Sequence, residues 1–432
     1  MKNILPIVAL VILTSFYFFP FEFTFLPGVN TKMAMAGIGL VVLGFNLGRL
    51  RESVLKSDIV WASLLAAVVS FIGYISTTYN GTSDYSYATY LVSMWVWLSG
   101  AYVVVSCMKW YHGRIDIQLV CNYLIVVCVA QCLIALFMDF IPWLKHFVDS
   151  FLGGEGFMGK NENRLYGVGA ALDVAGSRFA AVLIMIAFMC SRATNYIKSQ
   201  GQLLLYLLAF VIILVVGNMM ARTTIMGAVF ALVIVVYQSF FNKSVVKETT
   251  VKVWPYVMAV VMLSALIFGY LYQTNDLVHD HLRFAFEGFF SLVEEGHWQV
   301  RSNNQLLYHW DAIPQGFKTW LIGDGYFSGH ASDPYYIGPT WGEFYHSTDV
   351  GYWRLIYYFG LMGLFAFSAF MCYAAYVCMK RNSSCKLLFL LLLLLNFAIW
   401  AKVSTDLFLV FALFLLLENE ADTSECGAEL TE

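Results

Sequence analysis

The stretch Tyr345-His346-Ser347-Thr348-Asp349-Val350-Gly351-Tyr352-Trp353-Arg354 places an imidazole, a carboxylate and a guanidinium where a polar segment meets an apolar one. These groups suit a site that holds a general base and steadies an anion. His346 and Asp349 are three residues apart, so on a helix that begins early they share a face, with Asp349 orienting the imidazole or holding its charged form. Against this stands a structural reading, in which Ser347 or Asp349 caps the next helix and His346 is an interfacial side chain. Arg164, Arg178, Arg222 and Arg354 are the candidate anion ligands. A guanidinium donates paired hydrogen bonds to phosphate and keeps its charge when partly desolvated. An arginine at a helix end can equally serve only to reach lipid headgroups.

The elements that must position these groups are apolar. Runs of roughly 15 to 25 residues, about the length that crosses a hydrocarbon core, recur along the chain. They fall at 4–19, 33–48, 59–77, 90–108, 119–138, 170–190, 203–220, 224–241, 254–272, 350–379, 387–401 and 404–417. The expected fold is therefore all-α, a polytopic membrane protein of about 12 transmembrane helices, its last two divided by the turn Lys402-Val403-Ser404. Helices 1–9 occupy 1–272, a large external loop 273–349, helices 10–12 350–417 and a tail 418–432. Basic residues collect in alternate connections: Arg49, Arg51 and Lys56; Lys109 and Arg114; Arg192 and Lys198; Lys243, Lys247 and Lys252; Lys380, Arg381 and Lys386. Since such residues stay on the cytoplasmic side, both termini are expected inside and the long loop outside. The first segment, with Lys2 ahead of it, Phe18-Phe19-Pro20-Phe21 behind it and no small-residue cleavage site, reads as a retained helix.

Division by side gives the net charge of −3 its meaning. In the loop ten acids (Asp276, Asp280, Glu287, Glu294, Glu295, Asp311, Asp324, Asp333, Glu343, Asp349) face three bases (Arg283, Arg301, Lys318), which excludes a nucleic-acid surface. None of the nine cysteines falls in an outward loop on this topology, so no disulfide framework is expected. His279, His281, His297, His309, His330 and His346 are in the loop, but no HExxH or matched pair of ligand spacings accompanies them, and no metal is expected. The tail after Glu418 is short and acidic. Arg178, Arg222, Arg354, Lys402 and Asp406 fall near the outer span ends and Arg164 just before the sixth span, forming a cationic layer at one face. A transporter would more naturally place ionisable groups or broken helices at the midplane.

Within the loop, Trp320-Leu321-Ile322-Gly323-Asp324-Gly325-Tyr326 is a glycine-rich turn after an apolar run. Its glycines let backbone approach a substrate, or simply make a turn. Leu282, Phe286, Phe289, Phe290 and Val293 recur at helical spacing, as one helix that packs on the loop or lies along a membrane surface. Trp298, Trp310, Trp320, Trp341, Tyr335 and Tyr336 suit carbohydrate, and also suit a bilayer interface with no ligand.

The order of these motifs carries a resemblance. Arg164-x-x-Gly167 precedes a span; Met220-Ala221-Arg222-Thr223 joins two spans; Ile322–Gly325 lies in the long loop; His346-Ser347-Thr348-Asp349-x-Gly351-Tyr352-x-Arg354 then leads to Phe359-Gly360-x-x-Gly363. From Arg164 to the tenth span the chain resembles the O-antigen polymerase and ligase superfamily of bacterial envelope enzymes, and its continuation after His346 is more similar to the polymerases. The resemblance implies a glycosyltransferase at the periplasmic face of the inner (cytoplasmic) membrane, using undecaprenyl-diphosphate-linked oligosaccharide, without nucleotide sugar, cofactor or metal. It implies membrane lipids and a chain-length regulator protein as partners, and lipopolysaccharide or another surface polysaccharide as product. By motif position Arg164 and Arg222 hold the diphosphate, Arg178 and Arg354 support them, and His346, with Asp349, is the base. A ligase, which transfers to a lipid A core sugar, shares this chemistry. A flippase or exporter of the same glycolipid is the reading from another class.

Overall fold

The computed structural model describes residues 4–46, 57–152, 164–192, 196–241, 243–329 and 344–417. Arg49, Arg51, Lys56, His330, Asp333, Tyr335, Tyr336, Trp341, Glu343 and the tail from Glu418, with Cys426, lie outside them. Among the described residues the regular structure is helical, with three isolated β-bridges. In chain order the helices are α1 (Ile4–Phe18), α2 (Thr31–Asn46), α3 (Ser57–Asn80), α4 (Tyr90–His112), α5 (Ile117–Phe140), α6 (Pro142–Phe151), α7 (Leu172–Ser191), α8 (Gln200–Met220) and α9 (Thr224–Phe241). There follow α10 (Lys243–Thr274), α11 (Asp276–Ala285), α12 (Glu287–Glu294), α13 (Arg301–Trp310), α14 (Phe317–Ile322), α15 (Gly351–Arg381), α16 (Lys386–Trp400) and α17 (Phe408–Leu415).

Among the described residues seven helices are long and apolar enough to cross a membrane: α3, α4, α5, α7, α8, α15, and α16 with the short turn before it. This is the build of a polytopic membrane protein. Each of the other five expected spans holds a helix: α1, α2, residues 224–237 of α9 and residues 258–274 of α10 form shorter apolar stretches among the described residues, and α17 has 8 residues. The expected span at 254–272 is the apolar end of a helix that starts at Lys243, because backbone hydrogen bonding continues through polar residues as readily as apolar ones. Two separate helices, α16 and α17, lie in the last two expected spans. Residues 401–407 intervene, with the Leu407 amide donating to Asn396 Oδ1 at 2.9 Å and Trp400 Nε1 to the Thr405 carbonyl at 2.9 Å.

Contacts divide the chain into two compact units, Met1–Met35 with Val104–Trp298, and Ala36–Val103 with Gln299–Glu432. In the first unit α7 is the centre. It is apolar on nearly all sides, buried from Ala175 through Ile186, and packs on α5, α8 and α9. Where lipid is the solvent, burial of apolar surface gives little drive, so close packing and satisfied polar groups hold such helices together. Arg178 supplies one such group: it is only 6% exposed, donates to the Phe18 carbonyl at 2.5 Å and lies over the Phe19 ring. It thereby satisfies an acceptor at the C-terminus of α1, where helix carbonyls lack partners. Gln131 of α5 donates to Ser15 Oγ and the Val168 carbonyl, fixing the segment that carries Arg164.

In the second unit α15 is the centre and packs on α3, α14, α16 and α17. It is interrupted at Phe359 (φ −135°, ψ 16°) and Gly360 (φ 67°, ψ −170°), and the Phe359 ring folds over Gly363. The Phe-Gly-x-x-Gly motif is thus the sequence of a helix break.

Candidate functional site

Arg164, Arg178 and Arg222 belong to the first unit; His346, Asp349 and Arg354 belong to the second. In the first unit Arg222 sits in the turn between α8 and α9, which is tightened by Thr224 Oγ1 donating to the Gly217 carbonyl. Its Nε donates to the Phe284 carbonyl at 3.0 Å, its guanidinium lies 4.1 Å from the Phe284 ring centroid, and one terminal nitrogen meets Glu287 Oε2 at 2.5 Å. The guanidinium of Arg164 lies 5.1 Å from the same ring. Asn218 Nδ2, on the last turn of α8, donates to the Ala285 carbonyl at 2.6 Å, so the C-terminal end of α11 is pinned close to the turn that carries Arg222.

Two like charges beside one ring repel. Burial holds the Arg222 guanidinium below its ordinary pKa, Glu287 opposes that shift, and the charge of Arg164 adds to it. Cation–π attraction stabilises each guanidinium by about 0.5–2 kcal/mol and leaves the N–H edge available for an anion. Arg178, committed to Phe18, is given a structural task instead.

The expected helix over 281–293 is broken at Phe286, whose φ of −119° and ψ of 27° end α11 and begin α12. Arg283 closes the two short helices with a bidentate pair to Glu294, at 2.8 and 2.6 Å. His281 is buried on α11, 3.1 Å from Asp139 of α5.

In the second unit the Ile-Gly-Asp-Gly turn docks on the break in α15. The amides of Asp324 and Gly325 donate to the carbonyls of Tyr357 and Tyr358, at 2.6 and 3.1 Å, and Ser76 Oγ donates to the latter at 2.6 Å. Two motifs far apart in sequence are the two faces of one joint. The joint aims Asp324 at three donors: Lys318 Nζ at 2.6 Å, Thr319 Oγ1 at 2.8 Å and Tyr345 Oη at 3.3 Å.

Beside it, His346 stacks on Tyr357 at 4.5 Å and 15° and meets the Tyr345 ring edge-on at 4.5 Å. The backbone of His346 and Ser347 is left-handed, with φ of 55° and 51°. For side chains other than glycine this costs of order 1–3 kcal/mol per residue, and such strain collects at working sites. Burial pushes the imidazole below its usual pKa, and the charge of Asp324 partly opposes that.

Because α15 begins only at Gly351, His346 and Asp349 share no helical face, and neither Ser347 nor Asp349 caps α15, whose N-cap Val350 has no side-chain bond. Asp349 Oδ2 instead lies 3.6 Å from His309 Nδ1, which also accepts from the Asp349 amide at 3.3 Å. Arg354, 6% exposed, has its guanidinium between the rings of Phe327 and Phe344, at 3.9 and 3.7 Å. Among the described residues no three His, Cys, Asp or Glu side chains gather as a metal site.

Phe284, Glu287 and Lys318 carried no signal in the sequence that set them apart. Asp324 was visible only as the third residue of a glycine-rich turn. Compared with protein families, with curated protein sequences and with solved structures, the chain has no match in any of the three.

Proposed function

We propose that this protein is a glycosyltransferase of the O-antigen polymerase and ligase type, acting as a polymerase at the periplasmic face of the bacterial inner membrane. It transfers a growing glycan from undecaprenyl diphosphate to a lipid-linked repeat unit, with twelve crossings and both termini cytoplasmic. The observation that carries this reading is the placement of Arg164 and Arg222 on the single ring of Phe284, in a chain of long apolar helices. A lipid-borne diphosphate is the ligand that such a pair suits in chemistry and location.

In this reading His346 takes the proton of an acceptor hydroxyl as that oxygen bonds to the anomeric carbon. The anomeric carbon–oxygen bond to the diphosphate breaks, and its electron pair leaves with the diphosphate, whose charge Arg164 and Arg222 stabilise. Arg178 supports the pair through the fold, by holding the end of α1. Arg354 is assigned a supporting charge for the diphosphate, Asp349 follows the base by three residues and sits against His309, and Asp324 is the acid whose field reaches the imidazole.

Purified protein incubated with its cognate undecaprenyl-diphosphate repeat unit is expected to give a glycolipid ladder on a gel, absent for His346→Ala and Arg222→Ala. Transfer seen only after addition of lipid A core would make it a ligase. An active preparation that does neither would favour a glycolipid transporter.

The pH profile gives a separate check on the base. An imidazole accepts a proton only when neutral, so the rate rises with pH through its pKa. Because burial lowers that pKa, the acid limb is expected below the usual imidazole value of about 6.5. Asp324→Asn removes a charge that raises it, so the limb is expected to move further down; an upward move would contradict the assignment.

A further inference from the structure

The arginine pair holds an anion already, and that anion is part of the protein. Glu287 Oε2 is 2.5 Å from a terminal nitrogen of Arg222, while Arg164 makes no hydrogen bond or ion pair among the described residues. Arg222 does not need Glu287 to stay in place, since its Nε is fixed on the Phe284 carbonyl and its plane on the Phe284 ring. Glu287 is the more exposed partner as a side chain, 32% against 16% for Arg222, with the Oε2 that meets Arg222 turned inward and buried. The two short helices also have ties of their own. α11 is held by Asn218 and α12 by the Arg283–Glu294 pair. Glu287 is in the first turn of α12, where the helix dipole stabilises a carboxylate that has left its partner.

From this arrangement we infer that Glu287 is the exchangeable counter-ion of the arginine pair: the donor's diphosphate displaces its carboxylate from Arg222, and the carboxylate returns to release the diphosphate after transfer. The inference rests on the diphosphate reading above. The need for such a group follows from charge. A donor diphosphate, esterified at both ends, carries two negative charges. Transfer leaves one end free and adds another, so two guanidinia hold the product more tightly than the substrate. A carboxylate tethered beside them competes with both, and its return offsets the extra attraction.

The test uses the full chain in detergent micelles and farnesyl diphosphate as the product probe, with Glu287→Gln and Glu287→Ser as two neutral variants and Glu287→Asp as the charged control. Both neutral variants are expected to bind the probe about two- to fivefold tighter, as loss of a competing ion pair of this kind allows. Glu287→Asp is expected to stay near the wild type. In turnover, kcat and KM are expected to fall together in the neutral variants, because release becomes slower. A merely structural contact predicts weaker binding on its loss. Equal or weaker binding by the neutral variants, with wild type still binding and Arg222→Ala weakened, would overturn the counter-ion role alone. No binding by wild type would overturn the diphosphate site and this inference with it.

Discussion

Arg222→Ala is expected to lower the initial rate of glycan transfer by about two to three orders of magnitude, the usual cost of removing one donor that faces developing charge in a reaction. The size follows from how the side chain is held. Its Nε on the Phe284 carbonyl and its plane on the Phe284 ring aim the remaining N–H groups in one direction, so no reorganisation is needed when charge builds on a leaving group. Lysine keeps the charge but has neither the planar fork nor the ring stacking, and Arg222→Lys is expected to recover only part of the rate. Because Arg222 also offsets the charge of Glu287, the alanine variant leaves that carboxylate without its arginine. The double variant Arg222→Ala/Glu287→Gln separates that local effect from loss of the donor. Initial rates of ladder growth, on protein whose helical content and thermal melt match the wild type, are the measurement. A variant that keeps more than about a tenth of the wild-type rate would remove Arg222 from the reaction.

The pairing that carries this expectation could not be read from sequence, and the reason is physical. Apolar runs announce helices because the membrane demands that each run satisfy its own backbone, and the helices of the fold lie where those runs lie. Partner choice is a tertiary matter. Arg178 and Arg222 look alike as arginines near span ends, yet one is used on the Phe18 carbonyl and the other is aimed beside Phe284. His346 and Asp349 are spaced for a helix, but the chain turns left-handed at His346 and Asp349 meets His309, 40 residues upstream. The glycine-rich motifs were legible as motifs. That one docks on the other was not, because nothing local in Ile322–Gly325 names the Tyr357 and Tyr358 carbonyls. Phe284 lies between Leu282 and Phe286 in an apolar pattern, and only the fold distinguishes the ring that carries two guanidinia.

That joint sets the second large expectation, Gly360→Ala. Gly360 has φ of 67° and ψ of −170°, a region open essentially to glycine alone. A methyl group there would also overlap the Leu321 carbonyl and Ile322 amide, which are backbone atoms and cannot rotate away. On the other side Gly323, with φ of 80°, faces the Tyr358 carbonyl, where an added Cβ would lie 2.5 Å away. Neither partner can yield, so α14 must leave α15 and take with it the Asp324 and Gly325 amide bonds to Tyr357 and Tyr358. Backbone strain and a displaced buried hydrogen-bond pair together are expected to cost about 3 kcal/mol or more. The measurable consequence is a marked fall in the melting temperature in detergent. Gly269→Ala is the internal control, since a Cβ there meets nothing within 4 Å and alanine is the better helix former. If enough Gly360→Ala protein folds for kinetics, it should also lose His346 function, because Tyr357, on which the imidazole stacks, is three residues from Gly360. A melting temperature unchanged from the wild type would show that the turn and the broken helix are not one joint.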